Sequence, residues 1–298
     1  MRESTITRNR QGTARRKSIV FFFTSMITSL KLYLLPGKYY MTINTINNSS
    51  FLSILEGQRN FRDLGGLPAG NGCVIKSGMI YRSGDLSAIT DNDINALENI
   101  GLALVIDFRS DRERSKRPNR EIRSVKEIKN ITINDSARDM AMEYIARNDA
   151  ASLEQVLQND YRRIIRENQN EYRQFLNELA FSPHLPVVFH CVAGKDRTGL
   201  AAVFLLTALG VQFDSIFADY IASVNYNAAL TTKLINKINE KGHNGEIVRP
   251  LLEVKKEYLD AALTEIRESH DDLHTFVIKA LKADVARLRE RFVEPVCL

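Results

Sequence analysis

The stretch His190-Cys191-Val192-Ala193-Gly194-Lys195-Asp196-Arg197-Thr198-Gly199 decides how this chain folds. Before it, Pro186-Val187-Val188-Phe189 is a short apolar run behind a proline, the pattern of a buried strand. After it, Thr198 to Leu209 is an apolar helix stopped by Gly210. The loop therefore leaves a strand and enters a helix, with five residues between Cys191 and Arg197. In such a loop successive backbone N–H groups converge on one point, and the helix N-terminus adds positive potential. Val192, Ala193, Gly194, Lys195 and Thr198 would line this cradle. Gly194 and Gly199 let the backbone turn tightly and approach a ligand. Arg197 presents a planar fork that matches two phosphate oxygens.

The helix dipole and the guanidinium both favour thiolate over thiol at Cys191. A thiolate aimed at a bound phosphorus is an in-line nucleophile, so covalent catalysis through a phosphocysteine follows. No metal and no cofactor is required, since the loop donors and Arg197 already stabilise the transferring group. The bland alternative makes Cys191 a small buried hydrophobe at a strand end. The ordered succession of strand, Cys, two Gly, Lys, Arg, Thr and helix argues against it.

Working outward, Gly65-Gly66 and Gly70-Asn71-Gly72 punctuate short strands over 59–84, where Val74 to Arg82 is broken at Gly78. Thr90 and Asp93 form a capping box for a helix that stops at Gly101. Leu102 to Phe108 reads as a buried central strand interrupted only by Asp107. Ser110 to Arg117 is a short charged helix ended by Pro118, and Val125 to Ile133 is another strand. Residues 137–181 are helical, with Leu153, Val156, Leu157, Tyr161, Ile164 and Ile165 at spacings of three and four. From Phe213 to Val293 every segment reads as helix, with breaks near Asn225, Gly242–Gly245 and Asp271. Strands alternating with helices, then helices alone, predict an α/β domain with a helical C-terminal part.

His190 to Gly199 resembles the phosphate loop of the protein tyrosine phosphatase superfamily. Lys195-Asp196 inside it resembles the bacterial and fungal branch acting on phosphotyrosine, phosphoserine/threonine and phosphoinositides. Asn60-Phe61-Arg62-Asp63-Leu64-Gly65-Gly66, Tyr81-Arg82-Ser83, Val105-Ile106-Asp107-Phe108-Arg109-Ser110 and Ala218-Asp219-Tyr220 also match that branch. The resemblance covers about residues 56–293. It implies a central sheet flanked by helices, Cys191 as nucleophile, Arg197 as phosphate binder and Asp196 as an acid carried in the loop itself. A phosphate neighbour would favour the protonated form of Asp196; the alternative is that Asp196 only organises the loop. Asp107 is the rival acid, or a buried partner for Arg82, Arg109 or Arg197. Thr198 either donates to the thiolate or caps the helix. His190 orients the loop. Lys195 is either a second cation for substrates with several phosphates or a solvated charge.

The expected substrates are a phosphorylated protein or a phosphoinositide. The rival functions are a soluble inositol polyphosphate phosphatase and a phosphate-binding module without turnover. Related bacterial phosphatases place helices over this loop, so residues 137–168 are expected to form a lid that screens Cys191; the alternative is a fixed structural layer.

The net charge of +5 suggests nucleic acid only until it is divided. Eight of the 41 basic residues and one of the 36 acidic ones precede Met41, leaving 33 against 35 and a net of −2. A near-neutral body excludes a polyanion-steering surface, so no nucleic acid is expected. Residues 1–40 are basic and then uncharged from Ser18 to Leu30, resembling a signal peptide or, alternatively, an over-extended reading frame ahead of Met41. Location, cytoplasmic or secreted, stays open on that point. The phosphatase domain is expected over 41–298, its folded part starting near Phe51.

The basic run Arg112, Arg114, Lys116, Arg117, Arg120 and Arg123 is interrupted by Asp111, Glu113 and Glu121, and reads as a solvated helix rather than a membrane-docking face. His270 and His274 have zinc-helix spacing but no Glu between them, so no metal site is expected. Three cysteines at 73, 191 and 297 match neither a disulfide scaffold nor a zinc spacing.

Overall fold

The chain is described by a computed structural model over residues 18–21, 28–35, 38–45, 55–58, 60–134 and 143–296. Its contacts divide it into two units, Met1–Leu52 and Ser53–Leu298. In the first, β1 (Ser18–Phe21), β2 (Thr28–Leu35) and β3 (Lys38–Thr45) form an antiparallel meander. The uncharged run from Ser18 to Leu30 thus includes β1 and the start of β2, as its Ile, Val and Phe content favours.

The second unit begins with β4 (Arg62–Asp63), β5 (Cys73–Ile75) and β6 (Ile80–Ser83). Helix α1 (Asp91–Asn99) follows, with the predicted Thr90–Asp93 capping box formed in both directions. Then come β7 (Leu104–Asp107), α2 (Asp111–Lys116), β8 (Glu127–Asn130), α3 (Ala150–Glu167), α4 (Gln169–Phe181) and β9 (Val187–His190). The long helices after β9 are α5 (Arg197–Leu209), α6 (Phe213–Asn239), α7 (Lys256–His270) and α8 (Val285–Phe292). A last strand, β10 (Val293–Pro295), pairs with β5.

The main sheet has the order β4-β6-β9-β7-β8, parallel except for β4. The central strands β9 and β7 are buried at every position, which is why they read as continuous apolar runs. Their alternate residues enter two cores. Leu104, Ile106, Val187 and Phe189 join Leu153, Leu157, Tyr161 and the helices after β9 on one face. Val105 and Val188 join Leu86 and Leu97 on the other. This is the expected α/β architecture, with the Cys191–Asp196 loop between the middle strand and α5 and a mainly helical C-terminal part.

One expected break is absent. Helix α6 runs unbroken through Asn225. Its buried positions Ile216, Asp219, Tyr220, Ser223, Asn227, Thr231 and Ile235 form one stripe, stepping by three or four residues apart from the adjacent Asp219 and Tyr220. Four of these seven are Asp, Ser, Asn and Thr, so the hydropathy pattern lapses mid-helix although the buried stripe does not. The breaks at Gly242 and Asp271 are present, with φ of 79° and 65°. Of the expected covering segment 137–168, residues 137–142 lie outside the described residues. The stripe of α3 packs into the main core.

Candidate active site

Ser83, His190 and Asp107 stand opposite one another at the C-terminal ends of β6, β9 and β7. Ligands of open parallel sheets bind at this edge, and here β9 turns into the loop Cys191–Asp196. Gly194 has φ of +69°, and a Cβ there would stand 2.4 Å from the Ser83 carbonyl oxygen. Two separate constraints thus require glycine. A Cβ on Gly199 would meet the Tyr220 ring at 3.0 Å. Both glycines admit close approach of protein, and Gly194 supplies the tight turn expected from the sequence.

Four successive carbonyls of the loop are held from outside. His190 Nδ1 lies 3.0 Å from the Cys191 oxygen. The Asp85 N–H donates to Val192 at 2.9 Å. Asn60 and Asn227 side-chain amides donate to Ala193 at 2.7 and 3.2 Å. Arg82 Nη2 donates to Gly194 at 2.8 Å. In a trans peptide the N–H points opposite the C=O, so carbonyls drawn outward turn N–H groups toward the loop centre, the geometry of an anion nest. The first turn of α5 closes the ring.

Asp219 anchors this scaffold. It accepts from Arg62 Nε at 2.8 Å and from Arg82 Nη1, and all three residues are buried. Burial opposes ionisation of Asp219, but the two guanidinium groups outweigh it and hold the carboxyl below its usual range. Burial, together with the Arg62 charge, lowers Arg82 to about 10, while Asp219 and Cys191 favour its cation. Arg62 Nη1 also donates to the Asn60 side chain at 2.5 Å, fixing the amide that holds Ala193. The roles of Asn60, Arg62, Arg82, Asn227 and Asp219 were not anticipated from sequence, although all but Asn227 lie inside the motifs quoted above.

Cys191 is buried at the start of the loop. Arg197 is buried too, and its Nη1 and Nη2 each donate to Glu113 at 2.9 Å. Burial opposes charge on Glu113, but the Arg197 fork and the Ser110 groups hold it at about 2. Glu113 is also the N3 residue of the Ser110 capping box of α2, a pattern visible in the sequence whose reach to Arg197 was not.

Asp196 Oδ1 accepts from Tyr161 Oη at 2.7 Å and Lys195 Nζ at 2.8 Å. Lys195 is therefore not the solvated charge of the bland reading; it is buried and paired with its neighbour. Thr198 is not the helix cap, because α5 starts at Arg197 with Asp196 as its N-cap residue. The Thr198 hydroxyl is buried and makes no hydrogen bond, to sulphur or otherwise.

Asp107 is the buried partner of Arg109, bonded to its Nε and Nη2 at 3.0 and 2.8 Å. Burial opposes its charge, but His190 and Arg109 keep the carboxyl low, which suits an ion pair and not a proton donor. His190 has both ring nitrogens occupied, by the Cys191 carbonyl and by Asn119 Nδ2 at 3.1 Å. Burial lowers its pKa, against the opposing pull of Asp107.

Of the basic run, Arg114, Arg117, Arg120 and Arg123 pair with Asp111, Asp85, Asp91 and Glu98. His270 ends α7 and His274 lies beyond the Asp271 break, so they do not share a helix face. Among the described residues no group of three or more His, Cys, Asp or Glu side chains is placed to hold a metal ion.

Comparison with known proteins matches residues 54–294 to the family described as "Tyrosine phosphatase family". A protein of Cupriavidus necator named, provisionally, a tyrosine-protein phosphatase is 30% identical over 86% of this chain and 89% of its own length. The triple specificity protein phosphatase PtpB of Mycobacterium tuberculosis is 29% identical over 79% of this chain and 96% of its own. A tyrosine-protein phosphatase of Nostoc commune is 29% identical over 53% of each.

Proposed function

This chain belongs to the tyrosine phosphatase family, and from that premise we propose that it works through a phosphocysteine formed at Cys191. It is a cysteine-dependent phosphoric monoester hydrolase acting on phosphotyrosine. The inward N–H groups of Val192 to Lys195 hold the three non-bridging oxygens, and Arg197, fixed in place by its Nη1 and Nη2 bonds to Glu113, adds its positive charge beside them. The Cys191 sulphur bonds to phosphorus, the P–O bond to the leaving group breaks, and Asp196 supplies the leaving oxygen with its proton. Water then attacks the phosphocysteine, giving its proton to the Asp196 carboxylate and releasing phosphate and thiolate. The observation that carries this reading is the set of four loop carbonyls drawn outward beside the buried Cys191.

The finer assignment is the branch acting also on phosphoserine/threonine and phosphoinositides. The name of the M. tuberculosis relative and Lys195-Asp196 within the loop support it. With Lys195 held by Asp196, a second phosphate would have to draw that ammonium away. The insertion 137–168, reaching the loop through Tyr161, is taken to screen Cys191. Among the described residues no helix is long and apolar enough to cross a membrane.

The test is turnover of a small chromogenic phosphate ester. Cys191→Ser should abolish turnover and keep inorganic phosphate binding, because the cradle and Arg197 remain. Turnover by Cys191→Ser would overturn the mechanism, and absence of turnover in the parent would favour a phosphate-binding module. Comparing a phosphotyrosine peptide, a phosphoinositide and inositol hexakisphosphate separates the substrate classes.

A further inference from the structure

The loop acid is tied to the insertion by a directed chain of hydroxyls. Tyr220 Oη on α6 donates to Tyr161 Oη on α3 at 2.9 Å, and Tyr161 donates to Asp196 Oδ1 at 2.7 Å. Both tyrosines are at most 1% exposed. Burial and the charge of Asp196 raise both phenols well above their ordinary value, so both hydroxyls stay protonated and donate. A donor that itself accepts a hydrogen bond is polarised and donates more strongly.

We propose that Tyr161 is a positioning residue for the reaction, holding the Asp196 carboxyl so that Oδ2 carries the transferable proton. The proposal rests on the reading of Asp196 as the acid. A neutral carboxyl accepts at its carbonyl oxygen and donates from its hydroxyl. The O–H of Tyr161 points at Oδ1 alone, which marks it as the accepting oxygen. The Lys195 ammonium spans the carboxyl, 2.8 Å from Oδ1 and 2.6 Å from Oδ2, and must be drawn to the bound phosphate before Oδ2 carries the proton. As sulphur bonds to phosphorus and the P–O bond breaks, the Oδ2 proton passes to the leaving oxygen and Asp196 becomes a carboxylate. The Tyr161 hydrogen bond strengthens as that charge develops, so it stabilises the transition state more than the ground state. Through this contact the position of α3 bears on the proton transfer itself.

The experiment compares Tyr161→Phe, Asp196→Asn and their double variant on a series of phosphate esters from alkyl to activated aryl. Activated esters leave without a proton, so loss of acid catalysis grows as the leaving group worsens. Tyr161→Phe should lower kcat/KM about tenfold for the poorest leaving group and little for the best, as expected for one hydrogen bond to a developing charge. In the Asp196→Asn background it should add nothing further. Tyr220→Phe should show the same gradient more weakly, and inorganic phosphate binding should be unchanged in Tyr161→Phe and Tyr220→Phe. Equal losses across the series for Tyr161→Phe, beside a graded Asp196→Asn, would overturn the proposal alone. A flat Asp196→Asn series would overturn the acid assignment and the proposal together.

Discussion

Replacing Asp219 by alanine leaves two buried guanidinium groups, Arg62 and Arg82, without their shared carboxylate. Removing one partner of a buried ion pair costs about 3–5 kcal/mol, because the charge left behind is neither solvated nor paired. For a domain of this size each kcal/mol lowers the melting temperature by about 2–4 °C. Asp219→Ala should therefore melt roughly 6–20 °C below the parent. A total stability of about 5–15 kcal/mol leaves such a variant folded at room temperature, so turnover can be measured on it. There Arg82, no longer held on its other side, loosens its 2.8 Å grip on the Gly194 carbonyl. Phosphate affinity and kcat/KM should fall together, since the cradle itself is disturbed. Asp219→Asn, which keeps an acceptor but loses the charge, should fall between. Calorimetry and a chromogenic ester assay decide it. An Asp219→Ala protein that melts with the parent and turns over normally would refute the idea that this carboxylate organises the loop.

Gly194→Ala must accommodate both φ of +69° and a Cβ 2.4 Å from the Ser83 oxygen. Displacing a positioned group by an ångström costs about a hundredfold in rate, so kcat/KM should drop about that much, and near-parent turnover would contradict the close packing. Glu113, held at about 2 against an ordinary 4.5, contributes stability that is complete above 4.5 and is lost as the pH falls through about 2. The difference in denaturant stability between parent and Glu113→Gln should be constant from neutral pH to about 5, narrow below 4.5 and vanish near 2. A difference already gone at pH 5 would show that Arg197 does not hold the Glu113 carboxylate.

The fold was legible where local chemistry agrees with tertiary demand. Val187 to His190 and Leu104 to Asp107 are buried on both faces, so burial wrote itself as unbroken apolar runs. Thr90 and Asp93 cap α1 by contacts three residues apart, which a sequence displays directly. Helix α6 was misread at Asn225 because its buried face carries Asp219, Ser223 and Asn227, polar side chains directed at the loop and its arginines. The loop residues themselves were read from the ordered succession of strand, Cys, Gly, Lys, Arg and helix, and the acid role of Asp196 from the family resemblance. Their supports were not, because Asp219 meets Arg62 across 157 residues and Arg82 across 137. Lys195 reads as a free cation in sequence; only the neighbouring Asp196 and the cover of the fold show it paired and buried. The hydroxyl of Tyr161 falls on the apolar stripe of α3, where it reads as one more core residue.

The measurement that bears most directly on the mechanism is rapid acid quenching of the enzyme during turnover, followed by mass spectrometry of the peptide that contains Cys191. The account predicts a single phosphoryl adduct on the Cys191 sulphur, formed within one turnover, chased away by water, and absent from Cys191→Ser. An adduct on another residue, or full turnover with no adduct at any quench time and undiminished activity in Cys191→Ser, would contradict it.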